Sequence, residues 1–294
     1  MANARALDKR RKSIRNIRKI TRTMELIATA RYKKAMERAQ AATAYTDQIT
    51  KIVGRLAAAG LDVKHPLLEQ RDETRSARVL VLSSNRGLCG GYNGSVLREA
   101  VPRIKDLNDS VPKVSVDVSG KRGIDGLAFR GVDVDEKHLN FEDQPAYDEV
   151  EKIADSYLSR YVTGEIDRLD VVYTKFISTS KQIATIETLL PLGSLGDGAE
   201  QSDQGGPNVE YEFLPSAESI LEEVVPTSFK VRLFKCFLDA AVSEQVARMI
   251  AMKGATENAG DMIKQLSMTY NRARQSQITG EIMEIIGGVE ALEG

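Results

Sequence analysis

The chain has 294 residues, of which 42% are apolar, so it is long enough for one large domain or two ordinary ones and can bury a core. Tryptophan is absent, and the two cysteines, Cys89 and Cys236, stand far apart, which argues against a disulfide framework and favours a reducing compartment. Only two histidines occur, His65 and His138, which makes a histidine-rich metal site or a Ser-His-Asp triad hard to assemble, and we expect no metal site. No apolar run approaches the roughly 18 residues of a membrane span, so we expect a soluble chain.

The first predicted element is a long coiled-coil helix over residues 1–60. No proline occurs before Pro66, and small or apolar residues recur at alternating spacings of three and four. The seam positions are Ile14, Ile17, Thr21, Met24, Ala28, Arg31, Ala35, Arg38, Ala42, Tyr45, Ile49, Ile52, Leu56 and Ala59. Burying Arg31 and Arg38 would be costly, so part of the helix is expected to face a partner or water. The first 38 residues carry thirteen Lys or Arg against three acids, a local charge of +10.

A glycine-rich stretch, SSNRGLCGGYNG at 83–94, directly follows the apolar run 79–82. Its glycines are spaced G-x-x-G-G-x-x-G, which is neither the G-x-G-x-x-G of a dinucleotide loop nor a P-loop ending in Gly-Lys-Ser or Gly-Lys-Thr. A turn between a strand and a helix needs glycine for positive φ and close backbone approach even without a ligand. The stretch therefore predicts a structural turn in preference to a nucleotide site.

Alternating elements over residues 76–195 predict an α/β domain with a mostly parallel sheet. The predicted elements are a strand at 77–83, a helical stretch to 107, a strand at 113–119, helices at 124–130 and 147–161, and a strand at 169–178. Pro102 predicts a kink or a split in the first of these helices. Asp117 stands within the second strand and not at its end, where a dinucleotide site would have its acid. The composition of residues 193–207 is that of a loop, and 196–214 is predicted to be a linker.

The second coiled-coil helix is predicted within residues 215–294. Pro226 is the last proline, so the helix is expected to begin after it, with Thr227 or Ser228 as its N-cap. Its seam positions are Val231, Phe234, Leu238, Ala241, Gln245, Arg248, Met252, Ala255, Ala259, Met262, Leu266, Thr269 and Ala273. Each helix would span roughly 80 to 90 Å, far more than a compact domain needs. Such helices must pair with something along their length.

Three segments together resemble the gamma subunits of rotary F-type ATP synthases of the bacterial type. They are ALDKRRKSIRNIRKITRTMELIATARYKKA near the start, VLVLSSNRGLCGGYNGSV in the middle and SEQVARMIAMKGATENAGDMIKQLSMTYNRARQSQITGEIMEIIGG near the end. The resemblance covers essentially the whole chain and implies an α/β fold in which an antiparallel coiled coil of the two terminal helices carries an inserted Rossmann-like domain. One departure is Asn85, where the family commonly has aspartate before Arg-Gly-Leu-Cys-Gly.

The function that the resemblance implies is that of a non-catalytic central rotor shaft. In this family the coiled coil sits inside a ring of alternating alpha and beta subunits, and the α/β domain rests on the membrane ring of c subunits together with the epsilon subunit. Proton flow turns the membrane ring, and the shaft's asymmetry drives three catalytic sites through different affinities. The implied location is the cytoplasmic face of a bacterial cell membrane, as a peripheral subunit, and no cofactor is implied.

The resemblance also implies which residues contact other subunits. Arg248, Gln275 and Thr279 occupy places where the family's shaft forms polar contacts with loops of the catalytic subunits. Met24 lies where the N-terminal helix faces the lever region of those subunits, although methionine at this spacing could equally pack the seam. The turn that contains Arg86 and Cys89 is expected close to the same lever region.

Two other functions fit parts of the sequence. The basic N-terminal helix could bind nucleic acid, but only Tyr32 and Tyr45 among the first sixty residues could stack on bases. The α/β domain could belong to a cofactor-dependent enzyme, which the incomplete glycine motif disfavours. Retention on DNA, nucleotide binding by the isolated chain and co-purification with an alpha/beta hexamer would distinguish the three hypotheses.

Overall fold

The computed structural model describes residues 4–58, 66–67, 71, 73–141, 144–192 and 217–293. The chain divides into two compact units, unit 1 with Met1–Thr29 and Arg248–Gly294, and unit 2 with Ala30–Ala247. His65 and the predicted linker at 196–214 lie outside the described residues.

The elements follow the predicted order of helix, α/β layer and helix. In chain order they are α1 (Ala4–Ala58), β1 (Ser76–Leu82), α2 (Tyr92–Ser110), β2 (Lys113–Ser119), α3 (Lys121–Ala128), β3 (Glu136–His138), α4 (Tyr147–Val162), β4 (Arg168–Ser178), β5 (Lys181–Leu190) and α5 (Ala217–Glu293). Strands β3 and β5 were not predicted from the sequence.

The sheet of unit 2 has the strand order β3-β2-β1-β4-β5. Its first three pairings, β3–β2, β2–β1 and β1–β4, are parallel, and only β5 runs antiparallel to its neighbour β4. All seven residues of β1 are buried, as expected for a central parallel strand covered on both faces. The predicted mostly parallel, Rossmann-like sheet is confirmed.

Alternate residues of β1 point into two separate cores. Leu80 and Leu82 join the core formed with α4 and the first part of α5. Val79 and Val81 join the core formed with α2 and α3. The side-chain period of two in a strand explains this division, because successive side chains leave the sheet on opposite faces. Helices thus cover both faces of the sheet, and α5 packs on the same face as α4.

Two prolines lie inside helices, one where a kink or a split was predicted and one where the helix was expected to begin only after it. Pro102 is within α2, and Pro226 is within α5, so α5 begins at Ala217 and the predicted start at Thr227 or Ser228 is wrong. A proline inside a helix costs about 3 kcal/mol. Burial of the neighbouring turns outweighs that cost, since the residues beside the prolines are packed against the sheet. Those residues include Ala100, Ile104, Val225 and Phe229, which are at most 3% exposed.

Within unit 1 the first part of α1 and the last part of α5 form an antiparallel pair. The hydroxyl of Thr256 donates to that of Thr21 at 2.9 Å. Farther along α5, the Arg11 guanidinium lies 4.6 Å from the centre of the Tyr270 ring. Residue numbers therefore rise along α5 as they fall along α1, which confirms the predicted antiparallel pairing.

Within unit 2 the seam of α1 differs from the predicted one at two positions. Ala39 and Thr46 are buried where the prediction placed Arg38 and Tyr45, both of which are exposed. A spacing of three and four can be read in two phases that share the positions 28, 35, 42 and 49. The observed phase keeps arginine out of the contact, so the expected cost of a buried guanidinium does not arise at Arg38. The contact itself contains Ala35, Ala39, Leu238, Val242 and Val246.

Candidate functional site

The loop between β1 and α2 is closed by its own hydrogen bonds. The backbone N–H of Ser84 donates to Asn93 Oδ1 at 3.0 Å, and the Ser84 hydroxyl donates to the carbonyl of Arg86 at 2.6 Å. Cys89 is buried, and its Sγ accepts a hydrogen bond from Asn93 Nδ2 at 3.2 Å. Gly90 has a φ of 57°, in the left-handed region that favours glycine. The stretch forms the predicted turn between a strand and a helix.

Helix α5 lies over the carboxyl ends of β1 and β2, where open parallel α/β sheets usually bind their ligands. Phe237 and Ala240 of α5 line this edge together with Ser83 and Ser119. The hydroxyl of Tyr92 donates to the carbonyl of Ala240 at 3.2 Å. The space left there is a cavity of about 60 Å³, against roughly 300 to 1,000 Å³ for typical small-molecule sites. The usual nucleotide crevice of this fold is thus occupied by the chain's own helix.

We expect no nucleotide binding by the isolated chain, because the glycine loop lacks both nucleotide motifs and α5 fills the crevice beside it. Titration calorimetry with ATP, ADP and NAD should give no saturable heat. Saturable binding of any of the three at micromolar concentration would contradict this expectation.

Asp117 is fully buried and belongs to an ion-pair network inside unit 2. Arg78 Nη1 lies 3.1 Å from Asp117 Oδ2 and 3.1 Å from Glu136 Oε1, and Arg160 Nη2 lies 2.7 Å from the same Glu136 oxygen. The hydroxyl of Tyr157 donates to Asp117 at 2.7 Å. Burial, and then the charge of Asp117, raises the pKa of Tyr157 well above its ordinary value, so the phenol remains a donor. The network holds β1, β2, β3 and α4 together.

Three potential metal ligands meet in the same place, since Asp117, Glu136 and His138 each offer one ligand atom within 4.8 Å of the others. The guanidinium groups of Arg78 and Arg160 already neutralise the two carboxylates. A divalent cation would have to enter beside two fixed positive charges, which opposes its binding. The arrangement fits a structural ion-pair network better than a metal centre.

The predicted contact residues are divided between the two units. In unit 1, Met24 is 36% exposed, Gln275 and Thr279 are exposed, and Arg248 is only 8% exposed. In unit 2, Arg86 is exposed and Cys89 is buried. The Cys89 thiol therefore does not touch a partner itself and affects a contact of this loop only by holding the loop in its conformation. Arg248, a predicted seam position for which the resemblance implies a subunit contact, is thus largely buried within the chain.

Unit 1 has a strongly basic groove between α1 and α5. Thr256 and Ile263 of α5 contribute to its wall. Its cationic residues are Lys12, Arg15, Arg18, Lys19 and Arg22, all exposed. Lys12 pairs with Asp8 and Arg22 with Glu25, but no other acid occurs in the first 36 residues. The sequence alone indicates the excess of positive charge. The grouping of these cations along one groove depends on the pairing of α1 with α5.

The end of α5 in unit 1 presents an uncovered apolar face. Its large apolar side chains between residues 278 and 289 are 44–67% exposed. Four of them, Ile278, Ile282, Ile285 and Val289, follow a spacing of four, three and four that places them on one side of the helix. An exposed apolar stripe of this length indicates a surface that another protein covers.

No helix in the described ranges is long and apolar enough to cross a membrane. Residues 3–292 match the family model described as ATP synthase. The chain is 80% identical over 296 residues to the ATP synthase gamma chain of Rhodopirellula baltica, with 100% of both chains covered. It is 37% identical over 292 residues to the gamma chain of Leptospira biflexa, covering 99% of this chain and 100% of the other.

Solved structures share the fold at much lower identity. A chain of the Euglena gracilis mitochondrial ATP synthase, solved as OSCP/F1/c-ring in rotational state 3, aligns with a TM-score of 0.65 at 20% identity over 98% of this chain and 94% of that one. A chain of the Euglena gracilis rotor in rotational state 1 aligns with a TM-score of 0.63 at 17% identity over 94% and 98% of the two chains. Since the family model and the relatives match over nearly the full length, the chain belongs to the family of ATP synthase gamma chains.

Proposed function

We propose that this chain is the central rotor shaft of a proton-translocating ATP synthase. It transmits rotation of a membrane ring to a ring of catalytic alpha and beta subunits and carries out no bond chemistry itself. The observation that carries the proposal is the surface of unit 1, which has a basic groove between α1 and α5 and an uncovered apolar face at the end of α5. A ring of subunits around unit 1 would cover the apolar face, and its acidic side chains would complement the basic groove.

The proposed partners follow from this role. The alpha and beta subunits would contact unit 1, and the epsilon subunit and the c-subunit ring would contact the α/β domain of unit 2. These partners would hold the chain as a peripheral subunit at the cytoplasmic face of a bacterial membrane. No nucleic acid is proposed, because the basic helix lacks interleaved aromatic side chains for base stacking.

We assign different roles to the candidate contact residues of unit 1. Gln275 and Thr279 are exposed and can reach loops of the catalytic subunits directly. Met24, partly exposed, would add an apolar contact on the neighbouring helix. Arg248 is largely buried, so we assign it mainly to the helix pair itself.

The double substitution Gln275→Ala with Thr279→Ala should impair coupling while leaving the isolated chain folded. Both side chains are exposed, so their loss should change the stability of the chain by no more than about 0.5 kcal/mol. Each hydrogen bond lost to the catalytic ring would be worth about 0.5 to 1.5 kcal/mol, up to roughly tenfold in the occupancy of a rotational state. ATP-driven proton pumping in membranes and thermal melting of the purified chain measure the two effects.

Two further variants calibrate this test. Lys121→Ala removes an exposed side chain of unit 2 and should be nearly silent in both measurements. Arg248→Ala should lower the melting temperature, because that residue is buried. Normal pumping by the Gln275/Thr279 variant would refute their role as contacts, and a large fall in its melting temperature would make them structural instead.

A further inference from the structure

The amide of Asn85 joins three segments of unit 2. Its Nδ2 donates to the carbonyl of Phe141 at 2.6 Å and lies 3.5 Å from the carbonyl of Leu139. Its Oδ1 accepts a hydrogen bond from the backbone N–H of Lys121 at 3.0 Å. Because carbonyls only accept and a backbone N–H only donates, these partners fix the orientation of the amide.

The segment held by Asn85 packs against α5. Phe141 is 7% exposed, and its ring centre lies 4.8 Å from that of Phe237. Asn85, Phe141 and Phe237 line the same small cavity at the carboxyl edge of the sheet, together with Ala240. Fixing the segment at Phe141 therefore also fixes the surface on which this part of α5 rests.

Asparagine is the residue that this arrangement requires. A carboxylate at position 85 could still accept the hydrogen bond from Lys121, but it has no N–H to donate to the carbonyls of Leu139 and Phe141. It would place a second acceptor beside them. The amide of Asn85 is thus matched to the two carbonyl acceptors that face it in this chain.

We propose that Asn85 is a positioning residue, which holds the 83–91 loop against the 139–141 segment and thereby seats α5 on the edge of the sheet. The contact itself does not depend on the proposed shaft function, and only its consequence in the complex does. There, a loosely seated α5 would transmit less of the rotation between the α/β domain and the catalytic ring.

Hydrogen exchange on the full chain tests the contact directly. Asn85→Leu removes every hydrogen bond of the amide, and exchange at the Lys121 amide, in the 139–141 segment and around Phe237 should become about three- to tenfold faster. Asn85→Asp should leave Lys121 protected and accelerate exchange only in the other two places. Asn108→Leu, at an exposed position of α2, should change none of them.

The two substitutions at Asn85 keep the proposal open to refutation even if one of them fails to fold. Unchanged exchange at 139–141 and around Phe237, in whichever of the two variants folds, would overturn it. The consequence in the complex is measured separately, as protons pumped per ATP hydrolysed, which should fall in Asn85→Asp and not in Asn108→Leu. An unchanged ratio despite faster exchange would refute the link to the shaft and leave the contact itself established.

Discussion

Gly120→Ala should destabilise unit 2 by about 3 kcal/mol or more, combining the strain of a glycine-only backbone conformation with a steric clash. Gly120 has a φ of 100°, and a Cβ built on it would lie 2.2 Å from the carbonyl oxygen of Ser83. That carbonyl cannot easily move, because the Ser83 N–H donates to the Ser119 carbonyl at 2.8 Å. We expect the melting temperature of the chain to fall by roughly 6 to 12 °C.

Gly131→Ala is the matched control for this substitution. Gly131 also has a positive φ, 74°, but a Cβ there would meet no atom within 4 Å. Only the backbone strain of about 1 to 2 kcal/mol should appear. Equal melting temperatures for the two variants would show that the clash with Ser83 does not contribute to the loss of stability.

Arg78→Met should destabilise unit 2 by about 3 to 5 kcal/mol, because it leaves a buried carboxylate without its guanidinium. Asp117 has no exposed surface, and Arg78 is the residue that pairs it with a positive charge. Methionine keeps much of the side-chain length, so the loss reflects charge more than volume. Denaturant unfolding of the purified chain measures the change.

Two variants distinguish the effect of an unpaired buried charge from the effect of replacing an arginine in general. Arg75→Met removes a partner from the exposed Arg75–Glu73 pair and should change stability by no more than about 0.5 kcal/mol. Adding Asp117→Asn to Arg78→Met should restore part of the stability, because no buried charge is then left unpaired. Failure of that second change to help would contradict the ion-pair explanation.

Much of the fold could be predicted because strong local patterns coincide with the final structure. The run 113–119 is a strand with the predicted bounds, and β1 differs by one residue at each end. Strand β3 escaped prediction because its three residues, Glu136 to His138, show no apolar pattern and pair with β2 only in the tertiary structure. Strand β5 has mixed burial and no strict alternation, and its antiparallel pairing with β4 defines it.

The helix predictions were wrong where tertiary contacts decide the outcome, because a local sequence pattern does not contain those contacts. Whether Arg38 or Ala39 faces the partner helix depends on the phase of the seam, which packing against Leu238 and Val242 decides. Pro226 ends a helix by local preference, but the burial of Val225 and Phe229 keeps it helical. In both cases the tertiary contact outweighs the local signal.

The candidate contact residues came from family resemblance, and the structure adds what resemblance could not give. It shows that Gln275 and Thr279 are exposed and that Arg248 is not. The role of Asn85 was out of reach of the sequence, because its acceptors lie more than fifty positions away at Leu139 and Phe141. Contacts between distant segments require the fold itself.

The most direct test of the central claim is to observe rotation of this chain inside its complex. Cys89 and Cys236 are each 2% exposed, so Asn108→Cys on the exposed side of α2 gives a single accessible thiol for a bead or fluorophore. With the alpha/beta ring fixed to a surface and ATP supplied, the shaft function predicts rotation of the probe in one direction with three pauses in each turn. A probe that stays still while the same complexes hydrolyse ATP would contradict it.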